Sequence, residues 1–276
     1  LVFLGVSALL NVGLDLLFVP VLGWGIAGAA WATVIAQYVS AAGMLVFVIA
    51  KCKILLSKRS ELHLNRSILG EIFRLSSLTC AQQSVMNFGI LMVQGLVNSF
   101  GATVMAAFAA AVKIDTFAYL PVQDFGNAYS TFAAQNFGAK RTDRIREGTR
   151  RAFLLSAGFG AALSIAVCAL AAPLMRLFVE PGETAVVAAG VRYLRIEGAL
   201  YAGIGCLFLF YGYFRAVQRP GVSVVLTAIS LGTRVLLAYL LSALWGETGI
   251  WLSIPIGWVL ADLAGLWFMK ARPLRV

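Results

Sequence analysis

Charged residues are scarce in this chain of 276 residues: they make up 12% of it, about half the share typical of soluble proteins. Apolar residues make up 61%, and the mean hydropathy is +0.88. A water-soluble domain cannot bury that much apolar surface in one core. The composition therefore excludes a soluble enzyme, a disordered tail and a disulfide-rich scaffold.

Residue types that hold metals or carry out acid–base catalysis are also few. The only histidine, His63, lies in a polar stretch and reads as a solvated loop residue. The four cysteines show no CxxC spacing and mostly lie within apolar runs, which is typical of small buried side chains. DDxxD, HExxH and GxSxG are absent, which argues against an intramembrane prenyltransferase or protease. We predict no enzymatic activity, no cofactor and no metal centre, apart from a sodium ion discussed below.

Long apolar runs recur from end to end. Only helices suit them, because an unpaired backbone group in lipid costs several kcal/mol and the runs are too long for barrel strands. The predicted fold is all-α, a polytopic integral membrane protein of about eight transmembrane helices. The predicted spans are 1–22, 25–50, 72–99, 102–134, 152–178, 184–216, 221–244 and 248–269.

The net charge of +10 reflects membrane topology rather than a nucleic-acid partner. Of the 22 lysines and arginines, 17 lie in alternate connections and at the end of the chain, and the other connections carry few. The positive-inside rule places these 17 residues, and both ends of the chain, in the cytoplasm. We expect a multi-pass protein of the cell inner membrane, in contact with the lipid bilayer and monomeric.

A short motif hints at an internal repeat. Trp24-Gly25-Ile26-Ala27-Gly28 returns as Trp245-Gly246-Glu247-Thr248-Gly249, each time at the outer turn of a helical hairpin. Parallel repeats of this kind occur in transporters. The repeat predicts two six-helix lobes and a chain that begins within the first, with four helices ahead of Leu1. Residues 1–50 would be the last two helices of the N-terminal lobe, 51–71 a cytoplasmic linker, and 72–276 the six-helix C-terminal lobe.

Polar residues at membrane depth are costly and mark candidate sites. On the first span Asn11 and Asp15 lie four residues apart and share one helical face. Asp15 has no basic partner on its own helix, so it would either exchange a proton or hold a sodium ion together with the Asn11 amide. A packing hydrogen bond to another helix is the alternative.

The third and fourth spans carry further polar groups. Ser76, Gln83, Asn87, Gln94 and Asn98 form a stripe within about 60° on the third span, which either lines a cavity or joins helices.

The fourth span contains Pro121 and three charged residues. Lys113 and Asp115 cannot face the same way, whereas Lys113 and Asp124 come nearly into line. Each charge either lines a cavity or forms a structural ion pair. The three charged residues are Lys113, Asp115 and Asp124.

The sixth and seventh spans supply the remaining intramembrane charges. Arg234 is unpaired on the seventh span and is a candidate partner for Asp115 or Asp124. Arg192, Arg195 and Glu197 lie toward the outer start of the sixth span, where we expect them to snorkel to the interface.

These residues resemble the multidrug and toxic compound extrusion (MATE) transporters over the whole chain. The most specific matches are Lys113-Ile114-Asp115, Leu120-Pro121 and Gln135-Asn136-Phe137-Gly138-Ala139, with the basic run that follows. Asn98-Ser99-Phe100-Gly101 resembles the outer turn between the family's seventh and eighth helices. The first two predicted spans resemble its fifth and sixth helices through Asn11, Leu14-Asp15, Gly25, Gly28 and Ala32-Thr33.

The resemblance implies a secondary active transporter of twelve helices that exports small organic cations or drugs in exchange for protons or sodium ions, by alternating access. In one branch of the family the coupling ion binds in the N-terminal lobe, at positions that match Asn11, Asp15 and Thr33. Another branch uses acidic residues on helices seven and ten. The third span here has no carboxylate, so we predict coupling at Asp15, with sodium as a possible metal there. The substrate would bind between the lobes, near Gln83, Asn87, Gln94, Lys113, Asp115, Asp124 and Arg234.

The nearest alternative is a lipid-linked oligosaccharide flippase of the same superfamily. Lys113 and Arg234 would suit a pyrophosphate, but the three aspartates would repel it. A chain holding only two helices of its N-terminal lobe would also be inactive by itself, since two helices do not close a cavity.

Overall fold

The computed structural model describes residues 2–51 and 65–271, and almost all of this part of the chain is helical. The predicted linker, with His63, falls largely on residues 52–64, outside the described ranges. All eight predicted spans are helical, so the all-α membrane fold is confirmed. The helices in the described ranges are α1 (Val2–Leu16), α2 (Gly25–Lys51), α3 (Arg66–Asn98), α4 (Ala102–Gly138), α5 (Thr142–Arg176), α6 (Thr184–Gly198), α7 (Tyr201–Ala216), α8 (Pro220–Trp245) and α9 (Glu247–Ala271).

Two of the predicted spans differ in detail from the structure. The span at 184–216 is a pair of helices, α6 and α7, that meet at an angle of 51°. Helix α3 begins at Arg66, six residues before the predicted start. It is not among the helices that are apolar enough to cross a membrane unaided, and glutamine and asparagine interrupt it. Six other helices, with the first span counted as α1 plus the turn after it, are long and apolar enough to cross a membrane unaided.

The described chain divides into two compact units, Leu1–Leu69 and Gly70–Val276. The first unit is built on the α1–α2 hairpin. The Ser7 hydroxyl donates to the Ala36 carbonyl at 3.0 Å, and the Ser40 hydroxyl donates to the Phe3 carbonyl at 3.1 Å. Small hydroxyl side chains of this kind join membrane helices, because they allow close contact and donate hydrogen bonds to the backbone of the neighbouring helix.

Helix α1 ends in a π-helical turn, Leu17–Val21, which contains Pro20. Proline has no N–H to donate, so a regular α-helical ladder cannot continue through it. Single π-helical turns are frequent at functional sites. The irregular turn begins two residues after Asp15.

The two copies of the Trp-Gly motif have the same backbone geometry. Gly25 and Gly246 both adopt positive φ, +55° and +59°, which side chains other than glycine rarely allow. Gly28 and Gly249 both lie at close approaches: a Cβ on Gly28 would meet Phe18 Cβ at 3.0 Å, and one on Gly249 would meet the Leu241 backbone at 2.3 Å. The sequence match therefore reflects two equivalent helical hairpins, α1–α2 and α8–α9.

Helix α7 is the centre of the second unit. Almost all of its residues are buried, and it packs against α4, α5, α8 and α9. Glycines on its neighbours allow this: a Cβ on Gly160 would stand 2.6 Å from Ala202 Cα, and one on Gly126 would stand 2.9 Å from Phe208 Cβ. Membrane helices associate by such close packing, since lipid is as apolar as their side chains.

Candidate functional site

A cavity of about 450 Å³ lies inside the second unit, among α3, α4, α6, α7, α8 and α9. Its walls are mainly apolar, and Trp251 stacks behind them on Phe108 at a centroid distance of 5.5 Å. A largely apolar cavity of this size with a few convergent polar groups is typical of small-molecule sites. The aromatic residues of its lining are Phe108, Tyr119, Tyr193, Phe208, Tyr211 and Trp258.

Two carboxyl groups meet in this cavity. Asp115 of α4 accepts hydrogen bonds from the Tyr193 hydroxyl at 3.0 Å and from the Tyr201 hydroxyl. The Glu197 carboxyl of α6 lies within hydrogen-bonding reach of Asp115, and its Oε2 atom is buried without a partner among the described residues. Two ionised carboxylates in contact repel each other strongly at low dielectric. A cation bound beside the two groups would offset this repulsion.

The helix break between α6 and α7 creates this arrangement. Glu197 lies at the end of α6, and Tyr201 is the first residue of α7. The change of direction brings the hydroxyl of Tyr201 and that of Tyr193 onto the same carboxylate. Discontinuous helices of this kind line binding sites in other transporters, because irregular backbone is tolerated where it borders a cavity.

Arg234 of α8 lines the same cavity as the two carboxyl groups. Its Nε atom is buried without a hydrogen-bond partner in the part of the chain that the structure describes. The three side chains together carry one positive and up to two negative charges. Arg234 and Asp115 line one cavity without forming an ion pair among the described residues, and Asp124 lies outside that cavity, so the suggested pairing stays a prediction.

The structure brings some of the predicted cavity residues together and leaves others apart. Gln94, Asp115 and Arg234 line the cavity. The other four predicted residues are exposed on the described surface and do not line it. Lys113 points away because it lies two residues from Asp115 on the same helix. The four outside the cavity are Gln83, Asn87, Lys113 and Asp124.

Glu197 is the residue that sequence reasoning missed. We expected it to snorkel to the interface, but only 6% of it is exposed, so this prediction was wrong. Arg192 and Arg195 on the same helix are exposed, and Arg192 pairs with Glu247 at 3.5 Å. The signal lay in the length of the span: Glu197 is the fourteenth of 33 residues in 184–216, about 20 Å from its start at 1.5 Å per residue. That depth is incompatible with the interface.

The predicted coupling residues are neighbours in the first unit. The Asn11 amide donates to the Thr33 hydroxyl at 3.3 Å, and Thr33 donates to the Ala29 carbonyl at 3.0 Å. Asp15 is partly buried, and its Oδ1 atom is shielded from solvent without a hydrogen-bond partner among the described residues. A carboxylate oxygen in this state has capacity for a proton or a small cation.

Comparison with known proteins identifies the family of this chain. The MatE family model matches residues 78–240, more than half of the chain. The "Probable multidrug resistance protein YpnP" of Bacillus subtilis is 28% identical over 269 residues, which are 97% of this chain and 60% of that protein. The multidrug export protein MepA of Staphylococcus aureus is 23% identical and matches 95% of this chain and 58% of its own length. The chain thus spans about 60% of the length of these relatives.

Solved structures share the fold. An outward-facing multidrug resistance MATE transporter of the MOP superfamily superposes with a TM-score of 0.90 at 20% identity, over 98% of this chain and 61% of that one. A point mutant of the Vibrio cholerae MATE transporter VcmN superposes with a TM-score of 0.87 at 24% identity, over 99% and 62%. The family-model match and the shared helical architecture agree with the resemblance drawn from the sequence, and this chain belongs to the MatE family of membrane transporters.

Proposed function

We propose that this chain is the greater part of a secondary active transporter that exports lipophilic organic cations by alternating access, driven by inward movement of protons or sodium ions. The observation that carries the proposal is the Asp115–Glu197 pair inside an aromatic cavity. Its relatives YpnP and MepA are described as multidrug resistance and multidrug export proteins, which supports a role in export.

The substrate class follows from the chemistry of the cavity. A cation placed against Asp115 and Glu197 would neutralise charge that is otherwise held in a medium of low dielectric. The six aromatic side chains of the wall offer their faces to both the cation and its apolar groups. Arg234 limits the net negative charge, so a monovalent cation fits better than a divalent one.

Coupling at Asp15 would use a separate site. Binding of a proton or of sodium there removes or balances a buried charge beside the π-helical turn, and the helix can then repack. An ion can drive the transporter only by as much as its affinity differs between the outward-open and inward-open states. The ion-binding side chains would then come from both α1 and α2, and the Asn11–Thr33 hydrogen bond would keep them together.

Transport into everted membrane vesicles from cells that produce the full-length transporter containing this chain tests this proposal. A fluorescent lipophilic cation is the substrate, and proton and sodium gradients are imposed separately. We expect gradient-driven uptake that Asp115→Asn abolishes and that Asp124→Asn, an exposed aspartate of the same helix, leaves within twofold. Equal loss in both variants, or movement of a lipid-linked saccharide in place of the cation, would overturn the proposal.

A further inference from the structure

A second concave surface lies on the outside of the second unit, between α4 and α5. We call it the α4–α5 groove, and its volume is about 540 Å³. It lies toward the end of the α4–α5 hairpin, where basic residues gather. Its walls are mostly apolar and aromatic. They are formed by Phe125, Ala128, Tyr129, Phe132, Ala152 and Leu155.

Gly148 of α5 lets the Phe132 ring of α4 pack closely against it in the lining of the groove. A Cβ on Gly148 would stand 2.3 Å from a ring atom of Phe132, so the ring occupies space that any other residue would fill. The hydroxyl of Tyr129 already has a hydrogen-bond partner, because it shares a hydrogen bond of 2.6 Å with the hydroxyl of Thr149. This part of the groove therefore favours an apolar ligand, because a polar ligand would find few hydrogen-bond partners there.

Three charged residues of α5 line one side of the groove, from its start to about 10 Å along the helix. Arg144, Glu147 and Arg151 line it, and their spacing of three and four residues places them on one helical face. Glu147 forms an ion pair with Arg151, and among the described residues Arg144 has no acidic partner. This side thus carries a net charge of +1, and its two guanidinium groups can converge on one phosphate.

The length of the groove matches one leaflet of a bilayer. From Arg144 to Leu155 the helix rises about 16 Å at 1.5 Å per residue, roughly half of the ~30 Å hydrocarbon core. Arg144 would therefore stand at headgroup level and Leu155 near the middle of the membrane. Arg151 lies about 10 Å deeper than Arg144, and its side chain reaches back toward the start of the helix, where it pairs with Glu147. Basic pockets between transmembrane helices are the usual sites for anionic lipid headgroups.

We propose that the α4–α5 groove binds one anionic glycerophospholipid of net charge −1, with its phosphate between Arg144 and Arg151 and one acyl chain along Phe125, Phe132 and Leu155. Both the charge and the depth of the groove fit this ligand. The site is separate from the carboxyl cavity, and it does not depend on what that cavity transports.

Native mass spectrometry of the detergent-purified protein with added phosphatidylglycerol tests the site. The variant is Arg144→Gln/Arg151→Gln. The matched control is Arg146→Gln/Arg150→Gln, which removes the same charge from the opposite face of α5. We expect the affinity for the first bound phosphatidylglycerol to fall about tenfold or more in the variant. It should change less than twofold in the control.

Two further measurements separate the lipid from other occupants. Ala128→Phe places a ring in the groove and should displace the lipid, whereas Leu154→Phe, at an exposed neighbour outside the groove, should not. Phosphatidylcholine and free glycerol phosphate should bind at least tenfold more weakly than phosphatidylglycerol. Equal loss in the two arginine variants, unchanged binding in Ala128→Phe, or equal binding of phosphatidylcholine would each overturn the proposal.

Discussion

The hydroxyl of Tyr193 donates a hydrogen bond of 3.0 Å to the carboxylate of Asp115, across 78 positions of sequence. This contact joins α6 to α4 at the wall of the cavity and fixes where the carboxylate points. Tyr193 is itself held by Trp251, whose ring meets it edge to face at 5.0 Å. The carboxylate is thus positioned by a rigid aromatic cluster rather than by a flexible side chain.

Tyr193→Phe should weaken binding of a monovalent organic cation about fivefold, since a net hydrogen bond of this kind contributes about 1 kcal/mol. The ring and its packing remain, so the loss reports the hydroxyl alone. Tyr239→Phe, at a half-exposed tyrosine of α8, is the control and should leave the affinity unchanged. Ligand-induced quenching of tryptophan fluorescence measures the affinity, because Trp258 lines the cavity. Equal affinities in wild type and Tyr193→Phe would mean that the hydroxyl takes no part.

Glu197→Gln should reduce the affinity for the same cation at least tenfold, because it removes one of the two negative charges from a site of low dielectric. Glutamine keeps the shape and the position at the end of α6. Glu180→Gln removes an exposed carboxylate and is expected to have no effect. The same quenching titration measures both variants, and a loss in Glu180→Gln as large as that in Glu197→Gln would contradict a local role.

Arg234→Gln should shift selectivity toward divalent cations. The substitution removes a positive charge that faces the carboxyl pair, so a dication would gain more affinity than a monocation. The ratio of the two affinities, measured on one pair of related compounds, should rise at least fivefold. Arg195→Gln, at an exposed arginine of α6, should leave the ratio as it is. A ratio that stays constant in Arg234→Gln would remove this arginine from the selectivity of the cavity.

Asp15→Asn should abolish transport driven by an ion gradient while leaving substrate affinity within twofold of wild type. Ser40→Ala is the matched control, because it breaks a hydrogen bond between the same two helices without touching a charge. Transport is measured in everted vesicles and substrate affinity by fluorescence on the same variants. Together the two measurements separate ion coupling from substrate recognition. If the asparagine variant still responds to the gradient, the coupling ion binds elsewhere.

Gly249→Ala should destabilise the protein by about 1–3 kcal/mol, because the added Cβ would meet backbone atoms of Leu241 and force the α8–α9 hairpin apart. Gly232→Ala, in an open position within α8, should be neutral or slightly stabilising, since alanine favours the helix. Thermal unfolding in detergent measures both variants. Similar midpoints would show that the hairpin tolerates the extra atom.

The sequence predicted the carboxylate of Asp115 but not its neighbour. A charged residue inside an apolar run is visible in the sequence because its burial carries a large energetic cost. Its partners come from other helices, and sequence spacing relates only residues of the same helix. The position of Glu197 within its span indicated its depth, but its partners depend on the break after Gly198, which the hydropathy of the segment does not reveal.

The amino-acid sequence by itself determined that this protein is a helical membrane protein, because lipid leaves few alternatives to helices for long apolar segments. It also marked Asp115 and Arg234 as ionisable groups within apolar segments, although our prediction misplaced Glu197. Only the tertiary structure decided which of them meet: it joined Asp115, Glu197 and Arg234 in one cavity and left Lys113 and Asp124 outside. The physical reason is that helix rotation and the bend between α6 and α7 are set by packing against neighbours, which no single helix encodes.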